Sequence, residues 1–248
     1  MSYANSRIPT SAQQGMHTLL RRQVERHLAS PFHKPYAQYN RDAFEAALAG
    51  WDGRAPLILD AGCGVGQSTI ELARAFPEHW VIGVDQSQER LERRKPYPDA
   101  MLPRNMVLAR ADLVDFWRLC ADAGLTLDRH YILYPNPWPK IGHLGRRWHA
   151  HPVFPFIPRL GGRFECRSNW RVYIEEMAYA FGMVCATEIG WETFEPEQPL
   201  TPFERKYRDS GQTLYRLVYR PAGVREAEKA CIIAPDSAVS ELRHRRSP

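Results

Sequence analysis

An α/β fold built on a doubly wound, mainly parallel sheet is the class this sequence predicts, and three observations predict it. Apolar, β-branched runs alternate with helix-period stretches through most of the chain. The run from Leu57 passes through Asp60 into Gly62, Gly64 and Gly66 and then into a helical stretch, the strand-turn-helix unit that presents backbone amides to a nucleotide-like ligand. A length of 248 residues, 44% of them hydrophobic, is enough for one full core.

Taken in order, residues 1–50 read as an N-terminal arm and helix, with the helix over GMHTLLRRQVERHLA. The first 24 residues hold no acid but include Arg7, Arg21 and Arg22, a bias shared with organelle transit peptides; a flexible arm is the expectation here. The glycine turn follows. Glycines at 62, 64 and 66 accept positive φ and let the backbone approach a ligand closely. Their spacing breaks the G-x-G-x-x-G rule of dinucleotide sites, since Gln67 stands where the last glycine belongs. Asp60 would repel a pyrophosphate yet suits an ammonium, so S-adenosyl-L-methionine fits better than a dinucleotide.

A second strand, WVIGVD, ends on Asp85, nineteen residues past Gly66, placed to accept from both hydroxyls of a ribose. The third, MVLAR, leads to Asp112, which reads equally as a contact for an adenine amino group and as the N-cap of LVDFWRLCADA. The fourth, YILY, runs into Pro135, Asn136, Pro137, Trp138, Pro139 and Lys140, where three prolines stiffen the loop. Ligands of open α/β sheets bind beyond the carboxyl ends of the strands, so this loop aims Asn136 and Trp138 at the cofactor's reactive end.

Charge is informative by location. Net charge is +5, yet residues 140–173 carry Lys140, Arg146, Arg147, Arg159, Arg163, Arg167 and Arg171 against the single acid Glu165, a bias suited to a phosphate-bearing substrate. Residues 221–248 form a loose basic tail ending near Arg243, His244, Arg245 and Arg246. Five cysteines without a C-x-x-C pair indicate neither a disulfide framework nor a zinc site, and His143, His149 and His151 match no metal spacing; no metal and a reducing cytoplasm are expected. No apolar run is long enough to span a membrane.

From about residue 55 to 220 the chain resembles the tRNA (guanine-N7)-methyltransferases, class I S-adenosylmethionine enzymes. The resemblance rests on Pro137, Trp138, Pro139, Lys140, His143, Arg146 and Arg147; then on Gly161, Gly162, Ser168, Asn169, Trp170 and Tyr173; then on Thr201, Phe203, Glu204 and Arg205, with Pro202 where the family carries lysine. It implies a seven-stranded Rossmann-like sheet over residues 51–220, S-adenosylmethionine held by Asp60, Asp85, Asp112 and the glycine turn, and a tRNA guanine held by the proline loop, Asn169 and the Thr201–Glu204 segment. Asn136 and Asn169 stand where the family usually carries aspartates, and Asn136 is the candidate catalytic residue.

Structural readings stand beside these. Thr201, Pro202 and Glu204 make a capping box, and Ser168 or Asn169 can cap the helix WRVYIEEMAYAF. The two asparagines also leave open a shifted substrate, the amino group of an adenine or of a protein side chain, and a tRNA-binding protein with reduced or lost turnover. Oligomeric state is not written in the sequence.

Overall fold

The computed structural model describes residues 10–30, 32–93 and 102–221, so Arg7 and the expected basic tail beyond Pro221 lie outside the described residues. Seven strands form one sheet: β1 (Leu57–Ala61), β2 (Trp80–Asp85), β3 (Met106–Arg110), β4 (Arg129–Leu133), β5 (Arg163–Ser168), β6 (Trp191–Phe194) and β7 (Leu214–Tyr219). Their order is β3-β2-β1-β4-β5-β7-β6, with β7 antiparallel to both of its neighbours and the β1–β5 pairs parallel. The expected mainly parallel, seven-stranded sheet is therefore present.

The helices are α1 (Leu20–Ala29), α2 (Gln38–Leu48), α3 (Gln67–Ala75), α4 (Gln88–Glu92), α5 (Leu113–Asp122), α6 (Phe156–Arg159), α7 (Arg171–Cys185) and α8 (Pro202–Asp209). Alternation along the strands divides the apolar residues between two faces. Leu57, Leu59, Ile82, Val84 and Ile132 pack into the larger core with α1, α2, α5 and α7, whereas Ile58, Val81, Tyr131 and Leu133 pack with Leu72 and Ala73 of α3.

Two boundaries and the N-terminal arm differ from expectation for identifiable reasons. β4 closes at Leu133 because Tyr134 takes φ 52°, which no strand residue can hold. The first helix starts at Leu20 rather than residue 15, since the backbone N–H of His17 donates to Glu176 instead of entering a helix. The arm before it is not loose: Ser11 Oγ donates to the Pro139 carbonyl at 2.7 Å, and Gln13 bonds Glu176 at 2.6 Å.

Strand order fixes where a ligand can sit. The chain winds outward from β1 through β2 to β3, then returns across β1 to β4, so the carboxyl ends of β1 and β4 flank the switch point where such sheets open a crevice. The glycine turn leaves β1 and the proline loop leaves β4.

Gly66 is a tight joint in this arrangement: it caps α3 at φ 77°, and a Cβ there would lie 2.8 Å from Cδ1 of Leu108 on β3. Gly66→Ala is expected to destabilise the fold by roughly 2 kcal/mol or more, combining left-handed strain with overpacking. A urea midpoint equal to wild type would refute this.

Candidate functional site

The glycine turn is held from behind and open in front. Gly62, Gly64 and Gly66 all have positive φ, and a Cβ added at Gly64 would meet nothing within 4 Å. Asp60 is fully buried, its Oδ2 accepting from Ser68 Oγ (2.6 Å) and Thr69 Oγ1 (2.7 Å) at the start of α3. Burial pushes this carboxyl up to about 6, against the pull of the two hydroxyls. The Asp60 side chain is enclosed and its Oδ2 fastens the turn to α3, while its Oδ1 is buried with no partner among the described residues. Asp85 does face the turn. Its Oδ2 accepts from Gly64 N (3.0 Å) and its Oδ1 from Ser87 N (2.8 Å), with Arg90 3.7 Å away, so two of about four lone-pair positions are engaged.

Asp112 is the cap of α5, accepting from Val114 N at 2.9 Å, while Lys34 reaches its other oxygen at 3.5 Å. The buried amide of Asn40 on α2 joins it by accepting from Asp112 N (2.9 Å) and donating to Asp115 (2.6 Å). The N-terminal region thus walls the β3 side of the crevice, a contribution invisible in local sequence.

On the β4 side the proline loop is strained and clamped. Tyr134 and Trp138 both hold positive φ, 52° and 47°. Asn136 Oδ1 accepts from Trp138 N at 3.2 Å, a local turn that fixes the exposed amide in place. Arg146 lies over the Trp138 ring at 4.8 Å and His143 meets its edge at 5.6 Å. Lys140 and Arg146 are exposed, and desolvation together with these two cations lowers the His143 pKa, leaving it neutral at neutral pH.

Arg147, expected to bind substrate, is instead fully buried. It donates to Glu176 Oε2 (2.6 Å), to Gln13 Oε1 (2.9 Å) and to the Trp138 carbonyl (3.1 Å). Glu176 also accepts from His149 Nε2 at 2.8 Å. Burial raises the Glu176 pKa, but His149 and Arg147 outweigh it and bring the carboxyl down to about 2. Burial lowers the His149 pKa against the pull of Glu176, and its Nε2–H is the donor because the carboxylate accepts.

The late motifs separate in the same way. Thr201 Oγ1 accepts from Glu204 N (2.9 Å), confirming the cap. Glu204, expected at the substrate, is fully buried and accepts from Tyr134 Oη (2.9 Å), Arg167 (2.9 Å) and Leu200 N (2.6 Å). Phe203 is exposed. Asn169 donates to Gln212 at 2.8 Å; neither it nor Ser168 caps α7, whose N-cap is Trp170, though Ser168 Oγ accepts from Trp170 N. The arginine-rich window is largely neutralised by pairing: Arg147 with Glu176, Arg163 and Arg167 with Glu165, Arg167 also with Glu204, Arg171 with Glu175. Lys140 and Arg146 remain as its exposed cations beside the loop. A cavity of about 640 Å³ between α7 and β6 includes no residue of the glycine turn or proline loop in its lining. Among the described residues no cluster of ligating side chains could hold a metal ion.

A family described as putative methyltransferases matches residues 54–217. The tRNA (guanine-N(7)-)-methyltransferase of Pseudomonas savastanoi pv. phaseolicola is 31% identical over 181 residues, covering 66% of this chain and 70% of that protein. The protein of the same name from Saccharophagus degradans is 28% identical over 200 residues, covering 76% and 86%. Among solved structures, an antibiotic-related methyltransferase superposes with a TM-score of 0.51 over 76% of this chain and 97% of that one at 14% identity, a likeness of fold.

The Glu176 carboxyl sits near 2 in the fold against its ordinary 4.5, so its contribution to stability is complete above about 4.5 and drains away as pH falls toward 2. Glu176→Gln is expected to cost roughly 3–5 kcal/mol, because Arg147 is left buried without a counter-charge, and to flatten that acid limb. An unchanged slope of unfolding free energy with pH in the variant would refute the assignment.

Proposed function

The chain belongs to the tRNA (guanine-N7)-methyltransferase family, and on that premise we propose that it transfers a methyl group from S-adenosyl-L-methionine to N7 of a guanine in tRNA. One observation carries the reading: a glycine turn with Asp85 at its mouth and a rigid loop bearing Asn136 and Trp138 flank a single switch point of the sheet. The residues fit the methyl donor. The open space at Gly64 admits close backbone approach, the spare lone pairs of Asp85 suit ribose hydroxyls, and Asp112 and Lys34 stand at the β3 end, where the adenine belongs.

When bound, S-adenosylmethionine supplies an electrophilic methyl on a sulfonium, which a ring nitrogen with a free in-plane lone pair takes without a general base. The chain's own residues then have two tasks, positioning and electrostatics. Asn136 supplies the first. Its amide is fixed by the Trp138 N–H, and Trp138 is fixed by Arg147, so the loop's aim at the base is set before substrate arrives. It lacks the charge that would stabilise a purine becoming cationic. Turnover is therefore expected to be present but slower than a carboxylate would give.

Lys140 and Arg146 provide the phosphate contacts, and tRNA is the partner. No described helix is long and apolar enough to cross a membrane, and a cytoplasmic location accompanies this reading. The decisive experiment incubates the protein with labelled S-adenosylmethionine and undermodified tRNA and digests the RNA to nucleosides. Labelled 7-methylguanosine is expected; labelled methyladenosine, or no product with tRNA still bound, would overturn the assignment.

Asn136→Asp keeps the turn, because a carboxylate oxygen accepts from Trp138 N equally well, and isolates the charge. It should raise kcat about tenfold, the difference of about 1.4 kcal/mol between charged and neutral hydrogen bonding; an unchanged rate would count against an electrostatic role at this position. Lys140→Ala should weaken tRNA binding and reduce the slope of log affinity against log salt by about one, with S-adenosylmethionine affinity unchanged. An unaltered salt slope would remove Lys140 from the RNA surface.

A further inference from the structure

We infer that Asn40, on α2, is a positioning residue for the adenine of the methyl donor: it sets the Asp112 carboxylate so that one oxygen faces the crevice, and with it the preference for a 6-aminopurine. This rests on the S-adenosylmethionine reading above and adds to it a residue 72 positions from the carboxylate it aims.

The sequence of α2 carries an exception on its buried face. Its buried positions are Asn40, Phe44 and Ala47, one stripe at helical spacing, so a polar amide stands where the pattern calls for an apolar side chain. Burying an amide is tolerated only where its hydrogen bonds are made. Both are made to the start of α5: Oδ1 accepts from the backbone N–H of Asp112 (2.9 Å), and Nδ2 donates to Asp115 Oδ2 (2.6 Å). Packing between the two helices does not need the amide, since Phe44 already meets Phe116 edge to face at 5.5 Å.

Two carboxylates three residues apart then take different parts. Asp115 is the anchor: it is fully buried, its Oδ2 also accepts from Ala37 N at 3.1 Å, and its Oδ1 meets Arg118 at 3.5 Å and Lys34 at 3.8 Å. Asp112 is the reader, with three of its four polar atoms fastened. Its N–H is taken by Asn40, its carbonyl accepts from Asp115 N and Phe116 N, and its Oδ1 accepts from Val114 N. The fourth, Oδ2, meets Lys34 at 3.5 Å on a side chain that stays 30% exposed. The bonds to the carbonyl and to Oδ1 belong to α5 and travel with it. Asn40 supplies the one that does not, while the neighbouring Ala111 N–H donates to the Asp85 carbonyl at 3.2 Å. Between them these two bonds fix Oδ2 relative to Asp85, the acid assigned to the ribose. An acceptor held at a set place from the ribose site suits the exocyclic amino group of adenine, which is itself at a set place from the sugar.

Calorimetric titration of the full chain with S-adenosylmethionine and with its 6-deamino analogue, in which hydrogen replaces the amino group, tests the inference. Wild type should prefer the amino compound about ten- to a hundredfold, the strength of one hydrogen bond to a carboxylate. Asn40→Leu, close in size, and Asn40→Ala should each reduce that preference to about threefold or less by weakening S-adenosylmethionine alone, with the Kd of the analogue unchanged. Phe44→Leu, which loosens the same helix contact without touching the amide, should keep the preference in full. A preference retained by either Asn40 variant, an equal loss for the two ligands, or a Phe44→Leu variant that loses the preference as well overturns the inference. If wild type binds both ligands alike, the adenine contact and the part of Asn40 in it fail while the cofactor reading stands; if it binds neither, the cofactor reading fails and takes the inference with it.

Discussion

The substrate side of this molecule hangs on one buried carboxylate. Glu176, in the first half of α7, has both oxygens fully engaged: Oε2 accepts from Arg147 and His149, Oε1 from the Gln13 side chain and the His17 backbone. Taking an ion pair out of water costs several kcal/mol per ion, and only such complete satisfaction offsets it. The return is geometric. Arg147 spends its remaining donors on the Trp138 carbonyl and on Gln13, so α7, the N-terminal arm and the proline loop converge on a single anion. Breaking the pair would unfasten all three.

The cofactor side repeats the device at smaller scale. Asp60 and Asp85 tie a turn with three left-handed residues to α3 and to the end of β2, much as Glu176 and Glu204 brace a loop bounded by left-handed Tyr134 and Trp138. Non-glycine residues in that conformation cost about 1–3 kcal/mol each and persist where their surroundings over-determine them. The two halves differ in how they meet the demand. The turn uses glycine, which lowers the strain and opens the backbone to close approach, while the loop uses tyrosine and tryptophan, whose rings pack against Tyr207 and beneath Arg146. Strain at the loop therefore places rings that glycine could not supply.

Features encoded over short distances were legible in the sequence, and those closed over long distances were not. The strands 80–85 and 106–110 fall on the expected residues because alternation and flanking breakers are local signals. The glycine turn, the Asp112 cap and the Thr201 cap were equally local. The burial of Arg147 and Glu204 was not legible because their partners lie 29 and 70 residues away, and no window of sequence pairs them. The basic window from 140 to 173 misled for the same reason: Glu175, Glu176 and Glu204 lie outside it and cancel much of its charge in the fold. Asp60 hides a second partnership. An acid at the mouth of a ligand turn reads as a ligand contact, and the sequence does not announce that two hydroxyls at the start of α3 also hold its Oδ2.

What remains unpaired at the crevice defines its chemistry. Glu176 and Glu204 are consumed by the scaffold, Asn136 is neutral, and His143 is held neutral by desolvation and by the cations around it. The loop's exposed charges, Lys140 and Arg146, are therefore both positive. Such a rim draws a polyanion at long range but offers no compensation to a base that becomes cationic on methylation. Phosphates bound to those two cations would screen part of their field, making the RNA backbone itself a contributor to the electrostatics of the step. A crevice charged in this way draws a polyanion through its two cations and meets it with the fixed shape of the proline loop.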